Sequence, residues 1–373
     1  MNMKKWIHTL TAGQIKLGIS GVISFLVFLI LLAVHGMLGR EQLSQQMAER
    51  WSEQKNVAQV SCFLSTNAYI DPDSVEMFRH NLDNALLEAS ITQDSPNESA
   101  RLWADAYSAG GRITLTSDRG SIEANALGIG GDFFLFHPLQ LLYGSYFTGN
   151  DLMQDYCVVD EDMAWQLFGS NNVAGMTVYI QNVPHIILGV VRRDSGKLNE
   201  AAGLDSTLVY VSYKTLSDLG TNKGINHYEI VMPNPISSYA LNYVKENIGV
   251  ADSDIEVVEN TTRFELFNSF KRIILFGTRS MNSKAIIYPY WENVARGYED
   301  ILTAIAVFLL LFFLYPLILL IIGIITWWRL KSWTLGSVYV EIRDKAGRYT
   351  EYLREKHRGK KGSKDHMKEK EGM

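Results

Sequence analysis

The sequence predicts an α+β fold: a mixed α/β core domain held outside the cytoplasm and inserted between two transmembrane α-helices. Three observations predict it. Two long runs carry no charged side chain, Leu17 to Leu38 over 22 positions and Ile301 to Trp328 over 28. The charges are sorted along the chain: residues 1–38 hold three lysines and no acid, residues 329–373 are net +6, and residues 39–328 are net −14. The acidic middle alternates runs of β-forming residues with amphipathic, helix-period stretches.

A helix of about 20 apolar residues crosses the hydrocarbon core, and it satisfies its own backbone there. Both runs qualify. The first exceeds the ~7–15-residue core of a cleaved signal and no small-x-small site follows it, so it reads as an uncleaved anchor. Tyr288, Tyr290, Trp291 and Tyr298 flank the second run on one side, and Trp327 and Trp328 on the other. Such rings favour the headgroup level. Pro316 lies inside this run and is expected to bend it. Lys and Arg near membrane ends stay cytoplasmic. Lys4, Lys5 and Lys16 precede the first span, and Arg329 and Lys331 follow the second. The expected order is a cytoplasmic N-terminus (1–16), a span (17–38), an extracytoplasmic domain (39–300), a span (301–328) and a basic cytoplasmic tail (329–373).

The middle segment reads element by element. REQLSQQMAERWSEQKN is expected to continue the first helix as a solvated stalk. VAQVSCFLS reads as a buried strand. In DPDSVEMFRHNLDNALLEAS, Val75, Phe78, Leu82, Ala85, Leu86 and Ala89 share one helix face, with Asp73 or Ser74 as the cap. ITLTS and SIEANALGI are strands joined by a turn at Arg119–Gly120. Asp160 caps a helix over 161–168, where Glu161 and Asp162 suit the first turn. Met163, Ala164, Leu167 and Phe168 form its apolar face, and Gly169 ends it. MTVYI alternates as a half-buried strand, QNVP turns the chain, and HIILGVV returns as a strand. Gly189 there marks a bulge or a close backbone approach. STLVYVSY is another strand. YEIVM, SSYALNYVKENIG and DIEVVE form a β-α-β unit. RFELFNSFKRIILFGTRS reads either as an interfacial helix or as an amphipathic helix packed on the domain. In the tail, SVYVEIR alternates like a strand.

Chemical motifs are sparse. Phosphate-loop, dinucleotide and nucleophile-elbow spacings do not occur. The 8 histidines are scattered. His35 suits an interfacial position, and His137 and His185 adjoin prolines as turn residues. Acidic clusters at Asp71/Asp73, Asp160/Glu161/Asp162 and Asp252/Asp254 do not follow a calcium-loop pattern. No catalytic residue, metal site, cofactor or nucleic-acid partner is expected. Cys62 and Cys157 are either buried free thiols or a disulfide, which the location permits. Asn97 and Asn260 begin N-x-S/T sequons.

Five segments recur in a known order: GGDFF (130–134), YGSYFTGND (143–151), CVVDEDMAWQLFG (157–169), VAGMTVYI (173–180) and IILGVV (186–191). Together they resemble the MacB-like periplasmic core domain of FtsX-like ABC-transporter permeases. LVYVSY (208–213) looks like the strand that follows, with Ser212 where proline is common. The resemblance makes Gly131, Phe133, Gly144, Phe147, Ala164, Leu167, Phe168, Gly169, Gly175 and Gly189 fold-defining positions. It implies a permease-like subunit that transmits force through its outer domain. The implied partners are membrane lipid, a cytoplasmic ABC ATPase, a second permease subunit or a second copy of the chain. Any ATPase activity would reside on the partner. The chain departs from the family in lacking two further spans, and RLKSWTLGS is a faint echo of the coupling helix. The alternative is a membrane-anchored extracellular binding or sensing protein without transport activity.

Overall fold

The computed structural model describes residues 11–52, 56–68, 70–92, 101–149, 151–275, 284–330, 336, 339–340 and 342–352. The chain divides into two compact units, Phe28–Leu310 and the combination of Met1–Val27 with Leu311–Met373. Among the described residues, two helices are long and apolar enough to cross a membrane, α1 (Ala12–Arg40) and α9 (Tyr290–Leu330). In the smaller unit they touch through polar side chains. Ser24 Oγ donates to the Phe312 carbonyl at 3.0 Å, and Ser20 Oγ lies 2.8 Å from the Tyr315 hydroxyl. Small hydroxyls at helix interfaces are a common means of helix association in lipid. Helix α9 runs unbroken through Pro316.

In the larger unit the chain leaves α1 through a 3-10 turn (Leu43–Gln45) and a short helix α2 (Met47–Trp51). Gln45, Met47 and Ala48 are buried. The expected solvated stalk is therefore wrong: Met47 and Ala48 anchor this stretch in the domain core. Strand β1 (Val57–Leu64) follows, then α3 (Pro72–Glu88). The cap of α3 is Asp71, which accepts from the Ser74 amide at 2.8 Å, and not Asp73 or Ser74. Pro72 explains the shift, because proline suits the first helical position. Val75, Phe78, Leu82 and Leu86 are buried, while Ala85 is half-buried and Ala89 exposed.

Strands β2 (Ala104–Ser117) and β3 (Gly120–Gly131) form a long hairpin turned at Asp118–Arg119. Helix α4 (Phe133–Phe136), β4 (Gln140–Gly144), β5 (Tyr156–Asp160) and α5 (Glu161–Phe168) come next. Strands β6 (Thr177–Ile180) and β7 (Val183–Arg192) form a second hairpin. Gln181 and Asn182 both take positive φ there, the geometry of a two-residue hairpin turn. Then follow β8 (Leu208–Ser212), α6 (Tyr213–Leu219), β9 (Thr221–Asn222), β10 (His227–Pro233), α7 (Tyr239–Asn247), β11 (Ile255–Glu259) and α8 (Leu266–Arg272).

The sheet runs β11-β1-β10-β2-β3-β8-β5-β7-β4. Because β6 pairs with both β7 and β2, the path β2-β3-β8-β5-β7-β6 closes on itself as a small barrel. Its interior holds Ile113, Leu115, Val159, Val178, Ile180, Ile187, Val209 and Val211. Strands β11, β1 and β10 form an open sheet that shares β2 with the barrel, while β4 extends from β7 and β9 pairs with β2. Both β10 and β11 pair antiparallel to β1, so they are parallel to each other across it, and α7 makes the crossover. Helices α3 and α7 cover one face of this sheet, against Ala58, Val60, Cys62, Tyr228, Ile230 and Met232.

Cys62 and Cys157 are free and buried. They lie in two different apolar clusters, under α3 and inside the barrel. The disulfide left open by the sequence is therefore not formed. The described residues of SVYVEIR, namely Tyr339, Val340, Ile342 and Arg343, are helical and not a strand. Asn97 lies outside the described residues, and Asn260 is buried.

Candidate functional site: a buried polar network

The open sheet has a second face, and its chemistry is unlike the first. Side chains alternate across a strand, so Gln59, Ser61 and Phe63 on β1 face away from the helices, as do His227 and Glu229 on β10. Register places Ser61 opposite Glu229 and Phe63 opposite His227. Polar residues at alternate strand positions ordinarily face water. Here every residue of β1 and β10 is buried.

The cover is the start of α9. Helix α9 begins eleven residues before the charge-free run, about 16 Å of helix. Trp291 in its first turn is buried against Phe133, His137 and His227, with ring centroids at 5.5, 4.3 and 5.1 Å. One turn on, Ala295 is fully buried, and Glu299 is buried just ahead of the charge-free run. The helix is thus seated in the domain before it reaches the membrane-crossing run.

Glu229 is 0% exposed. Its Oε2 accepts from Ser61 Oγ at 2.9 Å, and His137 Nε2 lies 2.6 Å from Oε1. His227 Nε2 lies 3.8 Å away. Burial works against ionised Glu229, but His137, with the Ser61 hydroxyl, more than offsets it and holds the carboxyl below its ordinary range. Burial lowers the His227 pKa to about 4, so that ring is neutral at pH 7. Gln59 Nε2 donates to the Ser44 carbonyl at 2.7 Å, while its Oε1 accepts from the Met47 amide at 2.7 Å. Those two bonds tie the segment after α1 to the same face.

Ser61 continues the chain of contacts outward. Asn260 Nδ2 donates to Ser61 Oγ at 2.8 Å, and Arg263 Nη1 donates to Asn260 Oδ1 at 3.2 Å. Arg263 is buried and meets two acids of α9. It grips Glu292 with both Nη atoms at 2.7 and 2.8 Å, and its Nε donates to Glu299 at 2.8 Å. Burial disfavours the guanidinium charge, yet Glu292 and Glu299 hold its pKa above the ordinary arginine value. Arg272 adds a contact to Glu299 at 3.2 Å. Arg296 bridges Glu292 and Glu256 at 2.8 and 3.0 Å and lies 3.6 Å from the Tyr288 ring centre. Three arginines thus face three glutamates. Charge balance and bidentate geometry are what make buried ions tolerable.

The network links four segments: the turn after α1, the sheet, the loop before α8 and the foot of α9. Sequence reading did not find it. His137, read as a turn residue, and His35, read as interfacial, are both buried, and His35 Nε2 lies 3.0 Å from Ser269 Oγ. Arg263, read as part of an interfacial or domain-packed amphipathic helix, is the network's hub. The available signal was the pair Glu292 and Glu299 just ahead of a charge-free run, seven residues apart on one helix face, where a buried arginine is the natural partner.

The positions singled out from sequence lie in the barrel and around α4, and of them Phe133 packs on Trp291 and His137 at the site. Phe133, Phe147, Ala164 and Leu167 are buried and Phe168 half-buried. Gly131 at the end of β3, Gly169 at the C-cap of α5 and Gly175 in a turn all take positive φ. At Gly144 a Cβ would lie 2.0 Å from the Leu188 carbonyl, and at Gly189 one would lie 2.5 Å from the Ser145 carbonyl. Gly189 also follows a register shift in the β5–β7 pairing. Asp71 and Asp160 cap helices, Asp252 lies 3.5 Å from Lys245, and Asp254 accepts from Ser65 Oγ.

The profile of the MacB-like periplasmic core domain matches residues 18–245. The chain belongs to that family. Its FtsX-like permease motifs fall inside the match, and its two candidate spans bracket an extracytoplasmic MacB-like domain. The macrolide export ATP-binding/permease protein MacB of Agrobacterium fabrum is 26% identical over 107 residues, 28% of this chain and 16% of that protein. MacB of Neisseria gonorrhoeae is 28% identical over 105 residues, with the same shares. This chain therefore matches about a sixth of the length of those relatives. Among solved structures, the periplasmic region of MacB from Actinobacillus actinomycetemcomitans covers 58% of this chain and 92% of its own, at 18% identity and a TM-score of 0.37. The extracellular domain of the noncanonic ABC-type transporter YknZ from Gram-positive bacteria covers 54% and 99%, at 16% identity and a TM-score of 0.34.

Proposed function

We propose that the chain is a permease-like subunit of an ABC-type assembly whose outer MacB-like domain is moved through α9. The observation that carries this reading is the Arg263–Glu292–Glu299 cluster at the foot of a helix that continues into a membrane-crossing run. A helix embedded by buried ion pairs and by Trp291 passes a tilt or a push to the sheet, where a tethered one would slip. Both termini then lie in the cytoplasm, in line with the sorted charges. The domain limits are those of the two runs, with residues 39–300 outside. In this reading ATP hydrolysis is the work of an ABC ATPase that acts with this chain.

Purification of the full chain from native membranes in mild detergent tests the reading. An ABC ATPase is expected to co-purify and to be lost when residues 329–373 are deleted. Recovery of neither an ATPase nor a further permease, with outer-surface binding intact in the truncated chain, overturns it in favour of an anchored binding protein.

A further inference from the structure

We infer that α8 and the 3-10 turn Ile273–Leu275 lie in the bilayer interface, with Phe267, Ile274 and Leu275 inserted among the lipid headgroups. Two independent contacts set their depth. Ser269 of α8 meets His35, three residues before the end of the first charge-free run. Arg272 meets Glu299, two residues before the second run begins. Gly39 adds a third constraint, since a Cβ there would lie 3.2 Å from the Phe264 Cβ. The segment is thus fastened to the outer ends of both long helices.

Its far side carries what an interface takes up. Phe267, Ile274 and Leu275 are 68%, 87% and 53% exposed. With Lys271 they fall at i, i+4, i+7 and i+8, one stripe of a helical surface. Lys271 Nζ lies 4.7 Å from the Phe267 ring centre, so the cation rides above the apolar group. An apolar stripe edged by lysine settles about 5–10 Å into the headgroup–acyl boundary. A soluble face would instead leave three large apolar side chains in water. The inference does not depend on an ATPase driving the chain.

Full-length protein in vesicles of phosphatidylcholine and phosphatidylglycerol, bearing a nitroxide at Ile274→Cys or Leu275→Cys, tests this. Native Cys62 and Cys157 are buried and leave the new thiol as the reactive one. Ile236→Cys, in the exposed loop after β10, is the control. The ratio of oxygen to nickel-chelate collisions is expected to be clearly higher at 274 and 275 than at 236, as for groups about 5–10 Å into the headgroup–acyl boundary. Equal ratios overturn the inference. So does dipolar broadening between labels that vanishes on dilution with unlabelled chain, because a second copy would then cover the stripe. Unchanged thermal unfolding of each labelled variant shows that the fold is retained.

Discussion

Arg263 and Glu292 meet through two parallel hydrogen bonds, 2.7 and 2.8 Å, with both side chains buried. One residue belongs to the loop after β11 and the other to the helix that becomes the second span. Removing one partner of such a pair leaves an uncompensated buried charge, at a cost of about 3–5 kcal/mol. Arg263→Met should therefore lower the unfolding free energy of the chain by that amount in denaturant titrations. The combination of Arg263→Met with Glu292→Leu and Glu299→Leu should recover much of the loss. Equal destabilisation by the single and triple variants would contradict the network.

The Glu229 cluster makes stability depend on pH. His227 has a folded pKa of about 4, below its ordinary 6.5. The unfolded chain thus binds a proton first, and stability is lost as pH falls from about 6.5 to 4. The Glu229 pKa is lowered too, and acts in the same sense: it contributes stability above the ordinary 4.5, which is lost as pH falls further. His137 and Arg50 are the other charged or titratable groups acting on this site. Melting temperatures recorded from pH 7 to 4 should decline, and His227→Phe should flatten the upper part of that decline. A flat wild-type profile would exclude the assigned protonation states.

Glycine geometry separates two neighbouring substitutions. Gly144 has φ +79 and a carbonyl 2.0 Å from any added Cβ, whereas Gly175 has φ +85 and open space. Gly175→Ala should cost only the backbone strain, about 1–2 kcal/mol. Gly144→Ala should cost about 3 kcal/mol or more, because the β4–β7 contact must also open. Chemical denaturation of both variants ranks them.

The two thiols should be inert in the folded chain. Burial pushes the Cys157 pKa up to about 12 and raises that of Cys62 as well. The thiolate is the reactive form. A thiol reagent should titrate neither cysteine until denaturant is added, then both. Reaction of one in the native state would place it outside the core.

Local features were legible in the sequence. The Asp160 cap, the Gly169 stop and the β6–β7 hairpin are fixed by residues within a few positions of one another, so pattern reading finds them. So is the split β-α-β unit, whose strand and helix periods are clean. The candidate site was not legible. Ser61 and Glu229 are 168 residues apart, and each occupies an alternate strand position that ordinarily faces solvent. Only the arrival of α9, the turn after α1 and the loop before α8 over that face buries them. The segment after α1 failed for the same reason: Met47, Ala48 and the half-buried Trp51 are its apolar anchors, too few to show a period.

The central claim is that the foot of α9 and the outer sheet move as one body. Nitroxides at Leu87→Cys on α3 and Ile301→Cys on α9, both exposed, report it directly in the reconstituted full chain. Pulsed dipolar spectroscopy should give one narrow distance distribution, broadened by Arg263→Ala. A broad distribution in the wild type, or one that Arg263→Ala leaves unchanged, would contradict the account.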